Sequence, residues 1–85
     1  MPRATSEGLA TKILDYLRNG LDIEDDLTPD TPLITTGVVD SAALMRVAAF
    51  VEREAAITIP DPDINVGHFD TVRQIVDYVA TRTAG

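Results

Sequence analysis

Ser41 is the side chain in this 85-residue sequence whose placement most invites chemistry. It follows Asp40 and opens a stretch, Ala42 to Ala56, that is rich in helix formers and free of Gly and Pro. With Asp40 as N-cap, Ser41 takes the first helical position. There the unpaired backbone N–H groups and the positive helix end favour a phosphate ester on its hydroxyl. A capping box would occupy one of the two side chains, but three residues beyond Asp40 and Ser41 stand Ala43 and Leu44, not Glu or Gln. The hydroxyl is thus open to modification. The plainer alternative is that Asp-Ser does no more than cap a helix.

Other reactive groupings fall away on inspection. The chain has no cysteine and a single histidine, so neither a disulfide framework nor a zinc cluster is available to it. Asp61, Asp63 and Asn65 have the spacing of a calcium loop, but its sixth position is Val66 where Gly is needed and its twelfth is Val72 where Glu is needed. His68 stands beside Phe69 with no Ser or Cys near it in sequence, which reads as a packed or solvent-facing histidine. There is no glycine-rich phosphate loop and no nucleophile elbow. No catalytic residue and no metal site is assigned.

The elements that must hold Ser41 are helical. Leu9, Ile13, Tyr16 and Leu17 form one stripe of a first helix over about Ser6 to Arg18, which Asn19 and Gly20 are expected to close with a left-handed cap. From Gly20 to Asp40, Pro29 and Pro32 break helical periodicity, while Leu21, Ile23, Leu27, Leu33, Ile34, Val38 and Val39 are spaced to pin a long connection to the core. A short helical turn is expected inside it. In the second helix Leu44, Val47, Ala48, Val51 and Ala55 share the core-facing arc, and Ala42, Met45, Arg46, Ala49 and Arg53 share the opposite side. Gly67 limits any helix near His68 and Phe69 to a short one. Thr71 and Gln74 form a capping box for a last helix that buries Val72, Ile75, Val76 and Val79 and ends near Thr81, leaving a short frayed tail.

At this point the sequence resembles the acyl carrier and peptidyl carrier protein family from about Leu9 to Val79. The resemblance is carried by the apolar first helix, the loop ending in PLITTGVVDS, the helix SAALMRVAAFVERE, the segment ITIPDPDI and the closing HFDTVRQIVDYV. It implies an all-α four-helix bundle: three main helices, a short third helix near Val66 to Phe69, and a long loop between the first two. It also implies that Ser41 receives 4′-phosphopantetheine covalently from coenzyme A, through a phosphopantetheinyl transferase that uses Mg²⁺. Asp40 matches the family's acidic residue beside the serine and is expected to help present it to the transferase and its metal. The arm's thiol would then hold cargo as a thioester, chemistry that the cysteine-free chain lacks.

Met45, with Ala42 at i−3 and Ala49 at i+4, makes a small apolar strip below Ser41. Together with Arg46 it is the expected docking face for an acyl- or aminoacyl-loading enzyme and for downstream synthase or transferase enzymes. Such contacts are transient and small, as a carrier requires. The chain departs from many relatives in having Ala42 after the serine, Arg46 where an acidic residue is common, Ala55 in place of an aromatic, and Val66-Gly67 in place of Pro-Glu. Docking through simple negative charge on the second helix is therefore not what this sequence describes.

Length and charge bound the rest. A chain of this size buries only roughly 63% of the surface it exposes when unfolded, enough for one domain over 1–85 (core about 6–81) but not for a deep catalytic cleft. Seven Lys and Arg against fourteen Asp and Glu give a net charge of −7, which argues against nucleic acid as a partner. No apolar run is long enough to span a membrane, and the N-terminal residues lack a signal-peptide core, so a soluble cytoplasmic protein is expected; the expected state is a monomer. The start at Met1 and the end just past the last helix suit a free-standing protein acting in trans. GVVDSAALM and AAFVERE look like discrete carriers of aminoacyl or small unusual acyl units in polyketide and nonribosomal peptide pathways. The alternatives are a fatty-acid-type carrier and, from another class, an acidic helical interaction module without a prosthetic group. An enzyme is not expected.

Overall fold

The computed structural model describes residues 6–83. Four helices follow one another: α1 (Ser6–Asp15), α2 (Ser41–Ala55), α3 (Val66–Phe69) and α4 (Val72–Thr83), with no strand among the described residues. This is the all-α bundle with a short third helix. α1 lies against α4 and α2, and α3 against α4.

The apolar stripes meet in one core. Leu9, Ile13 and Leu17 from the first helical stretch, Val47, Ala48 and Val51 from α2, and Val72, Ile75, Val76 and Val79 from α4 are buried together with Phe69 of α3. Each buried Val, Leu, Ile or Phe side chain among them contributes about 1.5–3 kcal/mol relative to leaving it exposed. Tyr78 is buried too, because its hydroxyl donates to Asp63 Oδ2 at 2.6 Å and so carries no unmet polar group inside. Between α1 and α2, Leu27, Leu33 and Val39 are buried, and Leu21, Ile23, Ile34 and Val38 pack against the core. The long connection is pinned by all seven anchors.

Three local expectations are corrected. The first helix does not run regularly to Arg18 with a left-handed cap at Gly20. After Asp15 it widens into a π turn over Tyr16–Gly20, closed by the Leu21 N–H donating to Tyr16 O at 3.1 Å, and the left-handed residue is Asp22 (φ 61). Gly20 is needed for space instead. A Cβ there would lie 2.7 Å from Tyr16 Cδ1, and that ring is stacked on Phe50 of α2, with centroids 4.4 Å apart. The long connection contains hydrogen-bonded turns but no helical element. Finally, α4 continues to Thr83, two residues past Thr81. The hydroxyls of Thr81 and Thr83 donate back along the helix to the carbonyls of Tyr78 and Val79, at 2.7 and 3.0 Å. The tail beyond Thr83 lies outside the described residues.

The capping box before α4 forms as the sequence predicts: Gln74 N–H donates to Thr71 Oγ1 and Thr71 N–H to Gln74 Oε1, both at 3.0 Å. α2 ends on Ala56 in the left-handed region (φ 56, ψ 45), followed by Ile57 N–H donating to Glu52 O at 3.1 Å. An L-residue pays about 1–2 kcal/mol for that conformation and glycine does not, although glycine loses about 0.5–1 kcal/mol of chain entropy. Ala56→Gly should therefore stabilise the exposed C-cap by about 0.5–1 kcal/mol and raise Tm by roughly 4 °C. A thermal melt in which the variant unfolds below wild type would contradict this account of the helix end.

Candidate functional site

The site is assembled at the N-terminus of α2. Asp40 is extended (φ −87, ψ −177); its Oδ1 accepts the Ala43 N–H at 2.8 Å and its carbonyl accepts the Leu44 N–H at 2.8 Å. Asp40 is thus the N-cap. Ser41 is the first helical residue and is exposed, and its hydroxyl has no hydrogen-bond partner among the described residues. The backbone N–H groups of Ser41 and Ala42 lie ahead of the first intrahelical bond. The arrangement is an unengaged hydroxyl on a rigid helix end that favours negative charge.

What fixes that helix end is a carboxylate 29 positions away from Ser41 in sequence. Asp70, between α3 and α4, receives at Oδ1 the N–H groups of Leu33 (3.2 Å), Ile34 (2.8 Å) and Thr35 (3.0 Å), and at Oδ2 the Thr35 hydroxyl (3.1 Å). Its carbonyl accepts the Leu33 N–H as well, at 2.6 Å. The Thr35 N–H foremost, with the other donors, holds the Asp70 carboxyl below the ordinary aspartate range, against partial burial that acts the other way. The chain then turns through Gly37 (φ 80), where Gly37 N–H donates to Ile34 O at 3.1 Å, and Val39 N–H donates to Leu33 O at 2.9 Å. Val39 is buried, so Asp40 and Ser41 emerge at a fixed place. Farther back, Arg73 of α4 pairs with Asp30 and donates its N–H to Pro29 O at 2.9 Å.

The expected docking residues lie together. Met45 is 50% exposed, and Ala42, Arg46 and Ala49 are exposed on the same side of α2. Beside them an open cleft of about 490 Å³ runs between Leu21–Ile23, Gly37–Val38 and the first turns of α2, with Arg46 on its rim. The groups with calcium-loop spacing are turned to other work: Asp63 receives the Tyr78 hydroxyl, and Asn65 caps α3 by accepting the His68 N–H at 3.1 Å. No group of three or more His, Cys, Asp or Glu side chains able to hold a metal occurs among the described residues. His68 is a packed histidine, with Nδ1 3.1 Å from Asp63 O and its ring 5.0 Å from that of Tyr78.

The sequence reading missed Asp70 and Thr35. Their partners are 35 to 37 positions apart, so no local spacing marks them.

Comparison with known proteins shows the family of the chain. The family described as "Phosphopantetheine attachment site" matches residues 11–79, from within α1 to within α4. The probable acyl carrier protein PigG of Serratia sp. (strain ATCC 39006) is 34% identical over 71 residues, covering 84% of this chain and 75% of its own length.

Removing the acceptors at position 70 isolates the contribution of the clamp. Asp70→Ala leaves the Ile34 and Thr35 N–H groups unpaired and should cost about 2 kcal/mol. The depressed carboxyl stabilises the fold at pH above its unfolded value of about 3.9, and that stability drains as pH falls through this value toward the lower folded one. Urea titrations at several pH values should therefore show wild type losing stability between roughly pH 5 and pH 2 more steeply than Asp70→Asn. Parallel curves would remove Asp70 from the acid response.

Proposed function

This chain belongs to the carrier proteins that bear a phosphopantetheine attachment site, and from that membership we propose that Ser41 is the residue that bears the group. The family's members are carriers, not enzymes, and their prosthetic group is covalently bound 4′-phosphopantetheine. They work with phosphopantetheinyl transferases and with synthase enzymes. The arm supplies a thiol on which cargo is held as a thioester.

The observation that carries the assignment is the unengaged, exposed Ser41 hydroxyl at the first position of α2. In the transfer, Ser41 Oγ would form a P–O bond to the phosphorus that bears the pantetheine arm of coenzyme A, the pyrophosphate P–O bond would break to release the adenosine bisphosphate, and the serine proton would pass to a base of the transferase. The resulting phosphodiester would meet the free N–H groups of Ser41 and Ala42 at a helix N-terminus, which suits an anion. Asp40 commits Oδ1 to the cap, and its Oδ2 has no partner among the described residues. That oxygen is the one we assign to presentation, toward the transferase and its Mg²⁺.

The finer reading is a single carrier domain over 1–85, in the cytoplasm, that moves aminoacyl or small unusual acyl units in polyketide, nonribosomal peptide or related specialised pathways. It is supported by the likeness of GVVDSAALM and AAFVERE to discrete carriers of that kind. No described helix is long and apolar enough to cross a membrane. The docking face is the side of α2 with Ala42, Met45, Arg46 and Ala49, which any enzyme reaching the arm must approach.

Incubated with coenzyme A, Mg²⁺ and a promiscuous phosphopantetheinyl transferase, the protein should gain the mass of one phosphopantetheinyl group, and Ser41→Ala should gain none. An unmodified wild type beside a modified control carrier would refute the assignment. For the docking face, Met45→Glu should slow acylation of the holo-protein several-fold with little change in Tm, since an exposed substitution usually alters stability by about 0.5 kcal/mol or less. Unaltered acylation kinetics, or a large drop in Tm, would show that Met45 belongs elsewhere.

A further inference from the structure

Counted along the sequence, α2 is electrically balanced: Arg46 and Arg53 stand against Glu52 and Glu54. In space the charges are sorted. Glu52 turns to the chain that follows α2, where its Oε2 accepts the Ile59 N–H at 2.7 Å. Glu54 turns to α1 and pairs with Lys12 at 3.1 Å. Both carboxylates are half-buried in this work. Arg46 and Arg53 are exposed, and neither side chain has an ion pair or hydrogen bond among the described residues.

No intrahelical partner is available to either arginine. The residues three and four positions away are Ala42, Ala43, Ala49 and Phe50 for Arg46, and Ala49, Phe50, Ala56 and Ile57 for Arg53. Arg53 lies in the last turn, where a cation complements the helix end, but Arg46 lies in the middle of the helix and has no such role. Asp22 and Asp40 share a cleft with Arg46, yet neither comes within ion-pair distance of it. Seven positions apart, the two arginines fall on one side of α2 and flank Ala49, with exposed Met45 alongside. In a chain of net charge −7, this face carries two uncompensated positive charges around an apolar centre.

We infer that the partner enzyme meets α2 with an acidic surface, an apolar socket for Met45 rimmed by carboxylates that pair with Arg46 and Arg53. Charge complementarity selects this partner. A basic enzyme surface would be drawn to the acidic loops, Glu24 to Asp26 among them, and repelled by the face that surrounds the arm's expected attachment point. An acidic surface is repelled by the loops and can settle only on α2, which fixes orientation as well as affinity. The inference rests on the docking reading of Met45 and adds the sign of the partner's charge.

The test uses the holo-protein and the loading enzyme, purified from the native host by its acylation of that holo-protein. Arg46→Glu combined with Arg53→Glu should lower kcat/KM for acylation by at least about tenfold at low salt. Raising the salt from about 0.05 M to about 0.3 M should narrow the gap between wild type and the double variant, because loop repulsion is common to both and screening weakens the arginine attraction in one and the added glutamate repulsion in the other. Arg46→Lys with Arg53→Lys should recover most of the rate, and all variants should melt close to wild type. A faster double variant means a basic partner surface and overturns the inference, as does a rate that ignores both charge and salt. If Met45→Glu slows acylation while the arginine variants do not, the charge inference fails and the docking face stands. If Met45→Glu also has no effect, the docking reading itself is lost.

Discussion

The Asp70 carboxylate is the interaction on which the placement of everything else depends. Three successive backbone N–H groups converge on one of its oxygens, and the Thr35 hydroxyl reaches the other. Successive N–H groups point in similar directions only when the chain is tightly turned, so a single anion there dictates the backbone over residues 33–35. That turn sits at the end of a connection of about twenty residues with no regular structure of its own, where chain entropy would otherwise scatter the entrance to α2. Buried Leu33 and Val39 anchor the two sides of the turn, and the Val39 N–H returns to Leu33 O. Ser41 then needs no contact of its own to be held in place. The helix behind it and the clamp before it are enough.

Much of this was legible, and the boundary of legibility follows the range of the interactions. Asp40 as N-cap, Thr71 with Gln74 as capping box, and the core stripes of α1, α2 and α4 are all local patterns with a period of three to four residues. They appear in the structure at the predicted positions. The end of the first helix was misread because Gly20 has two uses that sequence does not separate. A left-handed conformation and a missing Cβ look the same in one letter, and here the ring of Tyr16, pressed between Phe50 and Gly20, requires the second. Asp70 was illegible for a different reason: its partners lie about half the chain away, and nothing in the neighbourhood of Phe69 or Val72 announces them.

The same distinction governs the charges. Net charge and its distribution along the sequence are countable, and they locate the acidity in the loops on either side of α2. Direction is not countable. Several carboxylates that a count assigns to a diffuse negative field are committed to structure: Asp30 to Arg73, Asp40 to the cap, Glu52 to Ile59, Glu54 to Lys12, Asp63 to Tyr78 and Asp70 to the loop clamp. Tyr78 shows the exchange from the other side. Burial first, and the Asp63 carboxylate second, push its phenol upward, so it stays a proton donor to that carboxylate.

A carrier must be recognised by several enzymes and released by each, which limits the area and strength of any one contact. On the docking reading proposed for Met45, its apolar contribution cannot be enlarged much under that limit, and discrimination has to come from where charges sit around it. Turning Glu52 toward the chain that follows and Glu54 toward α1 serves two ends at once. It satisfies the Ile59 N–H and joins α1 to α2, and it leaves Arg46 and Arg53 as the only charged side chains on the outward side of the helix. The residues that stabilise the bundle and the residues that define its outward face are therefore drawn from the same short helix, and the fold separates them by direction instead of by position in the chain.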